Sequence, residues 1–278
     1  MRLGYNTNGF ASHSLADAIA VIAGIGYRSI AITLDHAALD PLALDHDARV
    51  KQCRQDLEVR GLDCVVETGA RFLLDAWRKH QPTLLDPDPA QRNRRADFLR
   101  RAVDTACGLG ASVVSLWSGS PPAMEPADAL DARLCAELSR LCDYAHERGV
   151  VIGFEPEPGM HIESMAQFDR VASAVDHDAL RLTLDIGHAH LTEDCGAAET
   201  VRRYADRIVN VHLEGMARPR HDHLVPWEGD LDVRAVVTTL AELGYDGPAT
   251  FELSRHSHAA VDTARRAYDF ITGPARSA

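Results

Sequence analysis

Short apolar runs alternate with helical stretches along the chain, and at five places a glycine marks the change from helix to strand. The five segments read AGIGYRSIAI, EVRGLDCVV, CGLGASVVSL, HERGVVIGF and AELGYDGPATF. A glycine at the end of a helix permits the left-handed turn that directs the chain back into the next strand. Repeated alternation of strand and helix is typical of parallel α/β folds.

The apolar pattern predicts eight strands, each followed by a helix. The strands are predicted at residues 2–6, 28–33, 62–67, 111–116, 149–155, 181–185, 207–212 and 248–252, and the helices at residues 14–25, 46–60, 91–109, 127–148, 164–176, 196–206, 231–244 and 257–272. Eight such units predict a closed α/β fold, the (β/α)8 TIM barrel. The alternative is an open doubly wound sheet with a glycine-rich loop after its first strand. Because the segment NTNGFASHS has a single glycine at that place, we favour the barrel.

Length and composition are consistent with a single domain over residues 1–278. A chain of 278 residues is usual for this barrel, and 46% apolar residues are enough for a large core. The most polar stretch, residues 75–97, contains Pro82, Pro87 and Pro89. We interpret it as a long loop between two elements, not as a linker between domains.

An ionisable residue ends each of the last four predicted strands. Glu155 ends VVIGFE, Asp185 ends LRLTLD, His212 ends RIVNVH and Glu252 ends PATFE. Such side chains are poorly placed for a core, whereas the loops after the strands of a barrel form its active site. The sequence therefore predicts one site formed by four successive strands.

Three carboxylates and one imidazole are a suitable ligand set for a divalent cation. Their oxygen-rich chemistry favours Mn²⁺, Mg²⁺ or Co²⁺, with Zn²⁺ and Fe²⁺ as alternatives. A bound dication would also relieve the repulsion between converging carboxylates. The alternative is that each residue forms a separate ion pair with a lysine or an arginine. We expect one divalent ion, with Mn²⁺ as the first candidate.

Histidines near this predicted site are candidates for contact with a ligand or a substrate. His188 lies three residues after Asp185, and His221 and His223 form an HxH pattern in the segment after the seventh strand. The alternative for that segment is a solvated polar loop. We expect at least one of its two histidines to be functional.

Two further residues follow the fifth and fourth strands. Glu157 is separated from Glu155 by Pro156, and Pro158 follows it, so the direction of its side chain is left open. Trp117 could form the floor of a sugar-sized pocket or could simply pack.

Charge and cysteine content restrict the class of protein. The net charge of −12 argues against a general nucleic-acid binder. The six cysteines contain no CxxC pair, so we expect reduced thiols. We find neither a signal-peptide pattern nor an apolar run long enough to cross a bilayer, and we expect a cytoplasmic protein without a membrane partner. The oligomeric state is left open, including a homo-oligomer.

Five short motifs follow one another in the second half of the chain. They read FEPEP, LDIGHAH, VHLEG, HLVPWEGDLD and FELS. In this order they resemble the xylose isomerase-like barrel superfamily, which contains sugar phosphate isomerases and epimerases, ketose 3-epimerases, hydroxypyruvate isomerases, inosose dehydratases and zinc-dependent apurinic endonucleases. The resemblance covers nearly the whole chain and is strongest over residues 149–253.

The resemblance implies roles for individual residues. Glu155 and Glu252 match the acid/base pair of the ketose epimerases, and His188 and Arg218 match positions that contact the substrate in that branch. The four residues that match the family's single-metal quartet are Glu155, Asp185, His212 and Glu252.

The endonuclease branch is a less favoured match. It has further histidine ligands after the third and fourth strands, where this chain has ETGARF and LWSGSPP. His223 matches a ligand position of that branch, and His221 falls where it has an aspartate. The two missing ligands and the negative charge argue against DNA repair.

Residues 67–85 depart from the common epimerase pattern. They place Arg71, Lys79 and His80 beside the predicted mouth of an acidic protein. These side chains could meet an anionic substrate, form a lid or pair with local acids. They put a neutral ketose in doubt as the substrate.

The sequence predicts a divalent-metal-dependent isomerase or epimerase that acts next to a carbonyl of a sugar, sugar acid or cyclitol, through an enediolate. The first alternative is a lyase or dehydratase that begins with the same proton abstraction. An apurinic endonuclease and a non-catalytic carbohydrate-binding barrel are less favoured. The expected partner is a small carbohydrate-like molecule, and no nucleic acid is expected.

Overall fold

The computed structural model describes residues 1–274. In these residues, eight parallel strands form a closed barrel. They are β1 (Arg2–Asn6), β2 (Ser29–Thr33), β3 (Asp63–Glu67), β4 (Val113–Trp117), β5 (Val151–Glu155), β6 (Leu180–Asp185), β7 (Ile208–Leu213) and β10 (Pro248–Phe251). Strands β1 and β10 pair in register from Arg2 with Pro248 to Tyr5 with Phe251, which closes the barrel. The predicted single-domain (β/α)8 barrel is confirmed.

The helices connect these strands. They are α1 (Leu15–Ile25), α2 (His46–Arg60), α3 (Pro89–Leu109), α4 (Ala127–His146), α5 (Met165–Val175), α6 (Ile186–Thr192), α7 (Ala197–Tyr204), α8 (Val233–Glu242) and α9 (Ala260–Thr272).

Three features differ from the sequence prediction. Strands β8 (Gly215–Ala217) and β9 (Arg220–Leu224) form an antiparallel hairpin where a loop was expected. The short helix α6 was not predicted. Residues 89–97 are helical and not part of the loop, because Asp88 caps α3 by accepting a hydrogen bond from the Ala90 amide at 2.9 Å.

The glycines predicted to redirect the chain have the expected backbone conformation. The φ angles are 120° at Gly26, 63° at Gly61, 78° at Gly110, 68° at Gly149 and 67° at Gly244. Side chains other than glycine adopt this region at a cost, so the five positions explain why the helix-to-strand connections are short.

Alternation along β5 directs its last residue into the barrel. Phe154 points outwards and stacks on Phe168 of α5, with ring centroids 6.0 Å apart. Gly153 and Glu155 therefore share the inner face. A Cβ atom at Gly153 would lie 2.4 Å from Oγ1 of Thr183, so the barrel interior is closely packed directly below the end of the strand.

The six cysteines are free thiols, as predicted. Burial raises the pKa of Cys53 and of Cys142 to about 12, which makes these two thiols poor nucleophiles. Among residues 1–274, no helix is both long enough and apolar enough to cross a membrane.

Candidate active site

The four residues predicted to form a site converge at the carboxyl end of the barrel. Their ligand atoms all lie within 4.8 Å of one another, and the residues are Glu155, Asp185, His212 and Glu252. Nδ1 of His212 is 2.9 Å from Oε2 of Glu252 and 3.2 Å from Oε1 of Glu155. In the described part of the chain, the only basic partners of these three carboxylates are histidines. The separate ion pairs with lysine or arginine are therefore not observed.

Asp185 is held by the start of the helix that follows it. Its Oδ1 accepts hydrogen bonds from the amides of Gly187 at 2.7 Å and His188 at 3.0 Å. Its Oδ2 is buried and, within residues 1–274, has no hydrogen-bond partner. Buried acceptors without a partner are rare, and a cation would satisfy this one.

His212 is oriented by Glu67, which was not among the residues predicted to form the site. Nε2 of His212 donates to Oε1 of Glu67 at 2.9 Å, and Nδ2 of Asn210 donates to the same oxygen at 3.1 Å. Nδ1 of His212 is thereby directed towards the other ligands, as is usual for metal-binding histidines. Glu67 ends strand β3, so the signal used for the four later strands would also have found it.

The two glutamates of the quartet have opposite titration behaviour. Burial raises the pKa of Glu155 to about 8. Burial also disfavours the charged form of Glu252, but the charge and hydrogen bond of His212 outweigh it and hold the pKa of Glu252 below its ordinary value. Nδ2 of Asn8 donates to Oε1 of Glu252 at 2.9 Å.

His212 carries the compensating charge. Burial lowers its pKa, but Glu67, Glu155 and Glu252 outweigh this effect and raise the pKa well above the ordinary value. A cation that binds to Nδ1 must therefore displace a proton, so metal binding is expected to depend on pH.

A second group of donors lies beside the quartet. Nε2 of His188 is 2.9 Å from Nε2 of His221, and Nδ1 of His188 is 3.4 Å from Oε1 of Glu155. Nδ1 of His223 contacts Oε2 of the fully buried Glu214, which was also not among the predicted site residues. Two overlapping groups have ligand atoms within 4.8 Å of one another, namely His188, His221 and His223, and Asp185, His188, Glu214 and His223.

Burial and charge shift the pKa values of this second group as well. Burial, reinforced by Asp185, raises the pKa of Glu214 well above its ordinary value. Burial opposes the charged form of His223, but Glu214 outweighs it and raises the pKa of His223 to about 10. Burial lowers the pKa of His188 to about 4, so this ring is neutral at neutral pH.

A cavity of about 160 Å³ opens above these residues. Predicted residues that line it include Trp117, Glu157, His188 and His223. Burial raises the pKa of Glu157 to about 7. Three basic residues of the segment 67–85, which differs from the common epimerase pattern, also line the cavity. They are Arg71, Lys79 and His80.

Arg218 is placed differently from the other predicted residues. Its Nε donates to the carbonyl of His190 at 2.8 Å, and its amide donates to Asp230 at 3.2 Å. The cavity lining does not include Arg218 or His221. The structure therefore does not bring these two residues to the cavity, and their contact with a substrate stays a prediction.

Several solved structures share this fold. A D-tagatose 3-epimerase-like protein has a TM-score of 0.78 at 19% identity and covers 98% of each chain. The D-allulose 3-epimerase from Methylomonas sp. has a TM-score of 0.76 at 24% identity and covers 98% of this chain and 96% of that one.

Sequence relatives include enzymes of two kinds. The L-ribulose 3-epimerase of Methylomonas sp. (strain DH-1) is 29% identical over 84% of this chain and 77% of its own length. The inosose dehydratase of Lacticaseibacillus casei is 30% identical over 41% of this chain, and the match spans 44% of the dehydratase, less than half of its length. Residues 19–272 match the family described as xylose isomerase-like TIM barrel. The chain therefore belongs to the xylose isomerase-like TIM barrel family.

Proposed function

We propose that the protein is a divalent-metal-dependent isomerase or epimerase that transfers a proton next to a carbonyl of a sugar, sugar acid or cyclitol. The observation that carries this proposal is the pair Glu155 and Glu252, which share one metal-type ligand cluster and line the same cavity. The epimerase relatives support the same reaction class.

The cluster suits a hard divalent ion. Glu155, Asp185, His212 and Glu252 would hold it, and the unpaired Oδ2 of Asp185 supports this assignment. Three carboxylates to one imidazole favour Mn²⁺, with Mg²⁺, Co²⁺ or Zn²⁺ as alternatives. When bound, such an ion polarises a carbonyl and stabilises negative charge on the adjacent oxygen.

The glutamates would divide the proton transfer between them. Glu252, ionised and held by Asn8, is the proposed base that removes the proton from carbon. Glu155, which lines the same cavity and shares the ligand cluster with Glu252, is the proposed acid that returns a proton. Return to the opposite face of the enediolate gives the epimer, and return to the neighbouring carbon gives the isomer.

The cavity suits a small substrate. Its volume of about 160 Å³ is close to that of engineered cavities that hold one six-membered ring, about 150 Å³. The walls supply polar groups from several strands, as expected for a hydroxyl-rich ligand. A monosaccharide or cyclitol is therefore the proposed size class.

Exchange of substrate hydrogen in deuterated water tests the proposal. The Mn²⁺-loaded protein is incubated with a panel of ketoses, and deuterium at carbon is measured by mass spectrometry. Glu252→Gln and Glu155→Gln are each expected to reduce the exchange by at least about 100-fold. Glu147→Gln, which changes a glutamate with a 74% exposed side chain outside the cavity, is the matched control.

Two results would contradict the proposal. One is exchange that persists in Glu252→Gln. The other is a protein that binds no stoichiometric metal, measured by elemental analysis after purification without chelator; that result would favour the non-catalytic carbohydrate-binding barrel.

A dehydratase is the second candidate, because inosose dehydratases are among the relatives. It would use the same proton abstraction, followed by loss of a β-hydroxyl as water. Formation of a conjugated enone, detected by its ultraviolet absorbance, would favour the dehydratase over the epimerase. The cytoplasmic location and a homo-oligomer stay predictions from the sequence.

A further inference from the structure

We propose that the substrate carries an anionic group, a carboxylate or a phosphate, that binds between Arg71 and Lys79. The inference rests on the proposed function, because Arg71 and Lys79 line the same cavity as Glu155 and Glu252. It adds a second recognition point to that site.

Both cations are available to a ligand. Arg71 makes one side-chain hydrogen bond within the described residues, from Nη2 to the carbonyl of Asn8 at 3.3 Å. Neither Arg71 nor Lys79 lies within 4 Å of a carboxylate in residues 1–274, although the cavity contains several carboxylates. Arg78, the neighbour of Lys79 in the chain, differs because its Nε lies 2.7 Å from Oδ2 of Asp75. Charge compensation by direct pairing therefore accounts for Arg78 but not for the two residues in the cavity.

A third cation lies behind the cavity wall. Arg95 is 3% exposed, and its guanidinium carbon is 4.8 Å from the centre of the Trp117 ring. Its Nη2 donates to the carbonyl of Thr68 at 3.0 Å, and in the described structure its Nη1 is buried without a hydrogen-bond partner. Burial lowers the pKa of Arg95 to about 9, so the group stays charged at neutral pH. A buried cation without a carboxylate makes this end of the cavity attractive to an anion.

His80 lies in the same positive electrostatic potential. Burial, reinforced by the charges of Lys79, Arg95 and Arg71, outweighs the hydrogen bond to the Gly69 carbonyl and lowers the pKa of His80 to about 4. The ring is therefore neutral and packs edge-on against Trp117, with centroids 5.3 Å apart.

The proposed anion position is connected to the proposed base. Asn8 accepts a hydrogen bond from Arg71 through its carbonyl and donates one from its side chain to Glu252. One residue thus positions both the cation and the glutamate. An anionic group bound to Arg71 would fix the rest of the substrate relative to Glu252.

The backbone that carries these cations is strained. The φ angles are +52° at Ala70, +27° at Arg71 and +66° at His80. Non-glycine residues adopt such angles at a cost, and they concentrate at functional sites. This observation supports a functional and not merely a connecting role for the segment.

Three sugars with one carbon skeleton test the proposal. D-Fructose, D-fructuronate and D-fructose 6-phosphate differ at carbon 6, which carries a neutral hydroxyl, a carboxylate or a phosphate. Binding to the Mn²⁺-loaded protein is measured by calorimetry, and the D-tagatose series is measured in parallel to vary the stereochemistry. At least one anionic sugar is expected to bind at least about 10-fold more tightly than its neutral parent. The anionic sugar that binds more tightly shows whether the group is a carboxylate or a phosphate.

Variants assign the preference to the two cations. Arg71→Met and Lys79→Met are each expected to reduce the ratio of anionic to neutral binding by about 10-fold, and Arg71→Lys is expected to retain part of it. Arg78→Met removes the same charge from the same segment outside the cavity and is expected to retain the full preference. Circular dichroism checks that each variant is folded.

The outcomes separate this inference from the proposed function. Equal binding of neutral and anionic sugars in both series, or a preference that survives in Arg71→Met and Lys79→Met, overturns the anion site. Deuterium exchange on a neutral ketose without anion preference overturns the anion site and leaves the proposed function intact. An anion preference that requires Arg71 and Lys79, without exchange on any sugar, supports the site and contradicts the proposed function.

Discussion

Glu67→Gln is expected to weaken divalent metal binding, although Glu67 is not one of the four proposed ligands. Oε1 of Glu67 lies 2.9 Å from Nε2 of His212, and the two side chains are 8% and 2% exposed. The carboxylate fixes the ring orientation that directs Nδ1 to the other ligands, and it makes the ring a stronger donor. Loss of such a partner reduces metal affinity by about 10-fold to about 100-fold.

The structure sets where each variant falls in that range. The amide introduced by Glu67→Gln would keep an oxygen that can accept from His212, so this variant loses mainly the charge and is expected at about 10-fold, or about 1.4 kcal/mol. Glu67→Ala loses the acceptor and leaves Nε2 buried without a partner, so about 100-fold, or about 2.8 kcal/mol, is expected.

The dissociation constant of Mn²⁺ is measured by competition with a fluorescent chelator at mildly alkaline pH, where protons compete less for His212. Asp63→Asn is the matched control, because Asp63 lies at the other end of β3 and pairs with Arg2 at 2.7 Å. If both Glu67 variants bind Mn²⁺ like the wild type, or if Asp63→Asn weakens binding equally, Glu67 does not support the metal site through His212.

Three further predictions concern stability. A Cβ at Gly187 would lie 2.1 Å from Oε1 of the buried Glu214, so Gly187→Ala is expected to destabilise the fold by about 1–3 kcal/mol. Gly24→Ala meets nothing within 4 Å in the described structure and should stabilise helix α1 by about 0.5–1 kcal/mol; urea denaturation that ranks the two variants in the opposite order would contradict this. Burial raises the pKa of Glu157 from 4.5 in the unfolded chain to about 7, so its contribution to stability is fully present below pH 4.5 and is lost as the pH rises through about 7. The unfolding free energy of metal-free Glu157→Gln should therefore fall less over that range than that of the wild type, and parallel pH curves would disprove the assignment.

The barrel could be predicted because each strand repeats one local pattern. Apolar runs such as VVIGF must be buried on both faces, and the glycines between helix and strand require positive φ. Glu155 and Asp185 were recognisable for a related reason, since a carboxylate directly after such a run has no place in an apolar layer.

Other parts of the site depend on long-range contacts that no local pattern records. The position of Glu67 at the end of β3 was recognisable from the sequence, but its pairing with His212, 145 residues away in the chain, was not. Strand β9 reads RHDHL and is only partly buried, so hydropathy does not distinguish it from a loop. The direction of Arg218 depends on that hairpin and on the carbonyl of His190, and it was not accessible from the motif alone.

The hydrogen bond between Asn8 and Glu252 has a consequence for the mechanical integrity of the barrel. The two residues are 244 positions apart and follow β1 and β10, the strands whose pairing closes the cylinder. A ligand that immobilises Glu252 would also stabilise the pairing of β1 with β10. It would raise the free energy needed to separate these two strands. Amide hydrogen exchange along β1 and along β10 should then slow together when a ligand binds. The exchange rates of these two strands would therefore report whether the site is occupied.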